Sequence, residues 1–230
     1  MELGYWEPKG LGEPIRWAAL ALGVQVTEKN PANDEEWALW KKSLPTDFPN
    51  LPYLIDGDFT ITESSALPIY LAHKAGKPEF LGKDLKERAV VRQLEGVIDD
   101  IKNKLFDVAF DSETPDQSCA KLLTPDGQIA AKLGYLNKFL GDKEFFLDTL
   151  TWADLLFAYT AQLFNALAAS FGHKSIITQY ANLQGLFDRI HGHSVLKARI
   201  ESAMDLPYIP PEMMTFKLLS HRQTVEFNKH

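Results

Sequence analysis

Cysteine is almost missing from this chain: Cys119 is the single one in 230 residues. That rules out an intrachain disulfide framework, a CxxC redox pair and a cysteine-rich zinc site, and it fits a reducing compartment. Positive charge is scarce as well, with 24 Lys and Arg against 31 Asp and Glu and a formal net charge of −7. Phosphate backbones need a positive footprint, so the balance argues against a nucleic-acid partner while leaving room for a local basic pocket. Long apolar runs are lacking too. The most apolar stretch, "LLFAYTAQLFNALAAS", is too short for a bilayer and carries Gln162 and Asn165; it reads as a buried helix, and no membrane partner is expected. The start, "MELGYWEPKG", has no basic segment leading into an apolar one, and "FNKH" at the end matches no retention or peroxisomal address, so a cytoplasmic protein is expected. Histidine patterning suggests no metal site: "HGH" at His191 and His193 stands without further metal-ligand residues close by in the sequence, and His73, His173, His221 and His230 are scattered. No Ser-His-Asp order, glycine-rich phosphate loop or internal repeat is visible.

What is present divides in two. Residues 1–76 mix strand and helix signals. "ELGYW" and "VQVTEK" read as strands, the second with half-buried alternation; "PIRWAALALG" and "NDEEWALWKKS" read as helices. "YLI" and "FTIT" flank Asp56-Gly57, the strongest hairpin signal in the chain, and "ESSALPIYLAHKAG" reads as a helix opened by Glu63 and Ser64. The order is β-α-β-α-β-β-α. Residues 77–84 read as a linker, after which strand signals stop. Leu94, Ile98, Ile101, Leu105 and Val108 fall at spacings of four and three, one apolar stripe of a long helix. Thr151 and Asp154 form a capping-box pair, with Leu150 and Leu155 placed as a hydrophobic staple. Residues 85–210 therefore read as all-helical, and the proline-broken tail, 211–230, shows no clear element.

The stretch "DFPNLPYLIDG" puts Pro52 directly before a strand, where proline removes a ladder donor. An α/β module of this order with a proline leading into its third strand resembles the thioredoxin fold. There the proline is cis, and the residue before it keeps its backbone free to pair with a peptide-like ligand, in the manner of an added strand. The expected architecture is an α/β thioredoxin-like N-terminal domain plus an all-α C-terminal domain. "LGYW", "GLGEPIRW", "DFPNLPYLIDG", "ITESSAL" and "LTWADLLFA" occur in the order and spacing of the cytosolic glutathione transferases, and together they cover Leu3 to about Pro210. The first and third are most similar to the mu class; "LTWADL" is equally at home in the sigma class.

This resemblance implies a detoxifying enzyme that joins glutathione, as cosubstrate, to small hydrophobic electrophiles, with no metal or other cofactor. Tyr5 would be the catalytic residue, its phenol donating a hydrogen bond to the glutathione sulfur and so favouring the nucleophilic thiolate. Trp6 would line the cleft. Trp37 and Lys41 stand one helical turn apart and would meet the glycine carboxylate, with Lys42 the residue confusable with Lys41. Asn50 and Leu51, the latter through its backbone before Pro52, would hold the cysteinyl part. Glu63 would meet the γ-glutamyl ammonium and Ser64 the γ-glutamyl carboxylate. A carboxylate from the partner subunit would reach that ammonium, at Asp99 or, by the competing alignment, Asp100. Pro8, Leu11 and Phe110 would form the electrophile pocket. Phe48 would insert into the partner of a homodimer. Three positions depart from the mu pattern: Asp34 replaces a basic residue, Glu63 a common glutamine, and Phe110 a tyrosine able to donate a proton. Asp34 and Phe110 keep open a non-catalytic glutathione- or ligand-binding relative, and the likeness to the sigma class adds, as a third reading, a glutathione-dependent isomerase of the prostaglandin type.

Overall fold

The first strand, β1 (Glu2–Gly4), sits inside a four-stranded sheet of order β2-β1-β3-β4 in the computed structural model, which describes residues 1–110, 114–124, 127, 129–209 and 218–229. The chain divides into two compact units, Met1–Glu79 and Phe80–His230. In the first, β1 runs parallel to β2 (Thr27–Lys29) and antiparallel to β3 (Tyr53–Asp56), which pairs antiparallel with β4 (Phe59–Thr62). Helices α1 (Gly12–Leu22), α2 (Asp34–Ser43) and α3 (Leu67–Lys74) complete the expected order. Gly23 ends α1 at φ 75°, its N–H donating to the carbonyls of Ala19 and Leu20, and the Asn33 side chain caps α2 by accepting from the Glu36 amide at 2.9 Å.

Three local expectations shift. "VQVTEK" yields only three strand residues, all exposed, because β2 is an edge strand and polar side chains suit an edge. The hairpin turn falls on Gly57-Asp58, with Asp56 still paired to Phe59; Gly57, at φ 65°, supplies the positive φ that a type II′ turn needs at its first position. Asp56 is held in the ladder while its carboxylate accepts from Tyr70 Oη at 2.7 Å and pairs with Lys74 Nζ at 2.5 Å. Helix α3 begins at Leu67, with Pro68 in its first turn where proline is tolerated; Glu63 and Ser64 precede it as the start of a tight turn. The Glu63 carbonyl accepts from the Ala66 and Leu67 amides, so the turn leads straight into the helix.

Every element of the second unit among its described residues is helical: α4 (Leu85–Phe110), α5 (Pro115–Leu123), α6 (Ala130–Leu140), α7 (Trp152–Ser170), α8 (Ala181–His191), α9 (Ser194–Ser202) and α10 (His221–Phe227), with a short 3-10 turn at Ile176–Gln179 and another, Pro78–Leu81, across the unit boundary. The stripe on α4 is buried as its spacing predicts. Helix α7 is buried on almost every side, which explains its apolar composition; Gln162 lies within 3.0 Å of His191 Nε2. Its N-terminus carries the expected capping box, Asp154 accepting from the Thr151 amide at 2.8 Å and hydroxyl at 2.7 Å, and from the Phe146 amide at 2.8 Å. The tail holds a helix that periodicity did not reveal: Ser220 and Gln223 form a capping box around α10, whose seven residues are too few for a periodic signal. The molecule is thus a thioredoxin-like α/β unit followed by an all-helical one. Among the described residues no helix is long and apolar enough to cross a membrane.

Candidate active site

Tyr5 follows β1 directly and is 8% exposed. Its backbone is pinned twice, the N–H donating to the Lys29 carbonyl at 3.2 Å and the carbonyl accepting from Asn30 Nδ2 at 2.8 Å. The ring packs with Leu51 and Tyr53, and Trp6, Leu11, Trp37, Leu44 and Ile55 surround that cluster. Five residues singled out in the sequence, Tyr5, Trp6, Leu11, Trp37 and Leu51, therefore come together in one cluster. Pro8 is half-buried three residues beyond Tyr5.

The hydroxyl has a defined partner. The Leu11 amide donates to Tyr5 Oη at 2.8 Å, occupying an acceptor lone pair and leaving the phenolic proton to be given elsewhere. Burial pushes the Tyr5 pKa up, against smaller lowering effects from that amide and from the Arg16 charge. Tyr5 at neutral pH is consequently a phenol, a donor and not a base. The loop reaches the hydroxyl only because it carries glycines. A Cβ on Gly10, at φ 39°, would fall 2.2 Å from Tyr5 Oη, and one on Gly12 would fall 2.4 Å from Tyr5 Cδ1. Neither glycine was singled out in the sequence, although both belong to "KGLGEP"; a requirement for close approach cannot be told from an ordinary loop glycine without the partner ring in view.

The Leu51–Pro52 peptide is cis. Leu51 lies before the β3 ladder, which begins at Tyr53 opposite Gly4, and its side chain is buried against Tyr5. Asn50 and Glu63, thirteen residues apart, meet where Asn50 Nδ2 donates to Glu63 Oε1 at 3.2 Å. Glu63 holds a left-handed backbone, φ 77°, rare for a residue with a side chain and found where a loop is fixed by its surroundings. Ser64 is half-buried beside it, and Lys41 and Lys42 are both exposed in the last turn of α2. Asp34 is exposed in the first turn of the same helix, where its charge suits the helix dipole. Phe48 is 75% exposed on a loop tied down by Thr62 Oγ1, which donates to the Phe48 carbonyl at 2.8 Å.

Asp99 and Asp100 belong to the second unit. Each has a lysine: Lys102 Nζ lies 2.5 Å from Asp99, and Lys132 Nζ lies 2.5 Å from Asp100. The Phe110 side chain lies outside the described residues. No group of three or more His, Cys, Asp or Glu placed to hold a metal occurs among the described residues.

Residues 1–73 match the family profile described as the glutathione S-transferase N-terminal domain, and residues 99–203 match that of the C-terminal domain. Glutathione S-transferase Mu 1 of Oryctolagus cuniculus is 37% identical over 164 residues, 68% of this chain and 72% of that protein. The class-mu 26 kDa isozyme of Schistosoma mansoni is 34% identical over 154 residues, a stretch spanning 62% of that protein. Glutathione S-transferase Mu 4 of Homo sapiens is 30% identical over 217 residues, 90% of this chain and 93% of that protein. Among solved structures, the glutathione S-transferase Blo t 8 superposes with a TM-score of 0.81 at 26% identity, over 94% of this chain and 99% of the other.

Proposed function

The chain belongs to the glutathione S-transferase family, and from that premise we propose that it conjugates glutathione to small hydrophobic electrophiles with Tyr5 as the residue that stabilises the thiolate. The observation that carries this is the Leu11 amide on Tyr5 Oη, 2.8 Å away, beside the buried Leu51 that precedes the cis peptide. A thiol of ordinary pKa, about 8.5, is only a few per cent ionised at neutral pH. A phenol whose acceptor side is already occupied presents its proton to the sulfur, favouring the charged form, and each unit by which the thiol pKa falls is worth about 1.4 kcal/mol. The thiolate attacks the electrophilic carbon, the C–S bond forms as the leaving group departs with its electron pair, and the product is a thioether.

The remaining residues orient glutathione. Leu51, outside the ladder, offers its backbone to the cysteinyl peptide, as an added strand would. Asn50 and Glu63, already bonded to each other, and Ser64 serve the cysteinyl and γ-glutamyl parts, with Asp99 or Asp100 arriving from a second copy. Trp37 and Lys41 take the glycine end, Trp6 lines the cleft, and Pro8 and Leu11, with Phe110 by the family resemblance, are proposed to serve the electrophile. In this reading residues 1–76 bind glutathione and residues 85–210 serve the electrophile and the homodimer, in a cytoplasmic protein. Calorimetry with glutathione, paired with steady-state conjugation to a chlorodinitrobenzene, tests it: binding together with thioether formation is expected, and binding without turnover would replace the transferase by a ligand-binding relative.

A further inference from the structure

Arg16 lies on α1 and is 3% exposed, yet its three side-chain nitrogens reach three different parts of the first unit. Nε donates to Glu28 on β2 at 2.8 Å, Nη1 to Glu13 on its own helix at 3.3 Å, and Nη2 to the backbone carbonyl of Trp6 at 3.0 Å. The guanidinium carbon stands 5.9 Å from the centre of the Tyr5 ring. Glu13, with no exposed side chain, also accepts from Trp17 Nε1 at 3.0 Å, so the acid that braces the arginine is itself fixed.

Burying a guanidinium is costly unless its donors find partners, and two carboxylates would satisfy that need. The third bond has another consequence. The Trp6 carbonyl belongs to the residue directly after Tyr5, whose own N–H and carbonyl are held by Lys29 and Asn30. With Arg16 added, the backbone is fixed on both sides of the tyrosine. Glu13 and Glu28 offset most of the arginine's charge, which makes the fork's geometry the more important contribution. A lysine keeps the charge but cannot make three directed bonds from one planar group.

We propose that Arg16 is a positioning residue for the transferase reaction: braced by Glu13 and Glu28, it grips the Trp6 carbonyl and so sets where the Tyr5 hydroxyl meets the glutathione sulfur. This rests on the reading of Tyr5 given above. A misplacement of the donor by a fraction of an ångström weakens its bond to sulfur without removing the glutathione site, so the thiol should ionise at higher pH while glutathione still binds.

The test is the midpoint of thiol ionisation in the glutathione complex, followed by ultraviolet absorbance of the thiolate, in the wild type, Tyr5→Phe, Arg16→Lys and Glu28→Ala. Arg16→Lys should raise the midpoint and lower kcat about 10- to 100-fold, with KM for glutathione within about threefold. Glu28 is 33% exposed, so Glu28→Ala spares the core and decides the matter should Arg16→Lys not fold. Loss of the brace predicts a raised midpoint in Glu28→Ala; a purely electrostatic arginine, freed of a carboxylate, predicts a lowered one. A midpoint raised in Tyr5→Phe but unchanged or lowered in Glu28→Ala overturns the positioning role and leaves the tyrosine assignment standing. An unchanged midpoint in Tyr5→Phe overturns that assignment, and this inference with it.

Discussion

Gly10 contributes to the site through the atom it does not have. A Cβ there would lie 2.2 Å from the Tyr5 hydroxyl oxygen, at a backbone φ of 39° that side chains disfavour. Gly10→Ala should push the ring from its place, lowering kcat about 10- to 100-fold at a stability cost of about 1–3 kcal/mol, read from steady-state kinetics beside denaturant unfolding. A variant with wild-type kcat would show that the loop and the ring are independent. The raised Tyr5 pKa also has a sign. The proton the phenol donates is retained above the ordinary tyrosine range, so kcat/KM should climb with pH as the thiol ionises and show no loss from tyrosine deprotonation below about pH 10. Tyr5 was a candidate from the sequence alone because "LGYW" stands upstream of four other motifs. Arg16 was not, because an arginine on a helix reads as solvated until its three partners are seen to surround it.

At the scale of elements, α7 depends on its cap. Burial pushes the Asp154 carboxyl up to about 6, against hydrogen bonds that favour its charge, among them those from the Phe146 and Thr151 amides and the Thr151 hydroxyl. The folded state therefore holds this proton more tightly than the unfolded chain, where the group titrates near pH 4. Its proton-linked stabilisation is fully present below about pH 4 and is lost as pH rises through about 6, a change on the order of 1–3 kcal/mol. Urea unfolding of the wild type and Asp154→Asn between pH 4 and 7 should show that slope in the wild type alone; parallel curves would contradict it. Asp154→Ala should cost about 2–4 kcal/mol, since it leaves the Phe146 and Thr151 amides buried without acceptors. The Thr-x-x-Asp pattern made this cap readable beforehand. The α3 start was misplaced for a related reason: "TESS" satisfies the capping rules, but the left-handed backbone of Glu63 makes a turn there first. The Glu63 side chain also accepts from Asn50, thirteen residues away, a partner that local rules do not see.

For the whole molecule, the succession of an α/β unit and a helical one was legible from the point where strand periodicity ends, and the thioredoxin-like order from a proline at the mouth of the third strand. Helix α10 escaped notice because it is short and follows a proline-broken stretch. The proposed homodimer turns on Phe48, 75% exposed on a loop held at its own carbonyl. Phe48→Ser should shift sedimentation from dimer toward monomer while leaving the far-ultraviolet spectrum of the folded chain in place; an unaltered dimer would remove Phe48 from the interface. The most direct measurement of all is kcat for conjugation of glutathione to a chlorodinitrobenzene in Tyr5→Phe, with calorimetry confirming that glutathione still binds. A fall of about 10²-fold or more with binding retained is the expected result, and wild-type turnover in that variant would contradict the assignment of Tyr5 as the group that makes the thiolate.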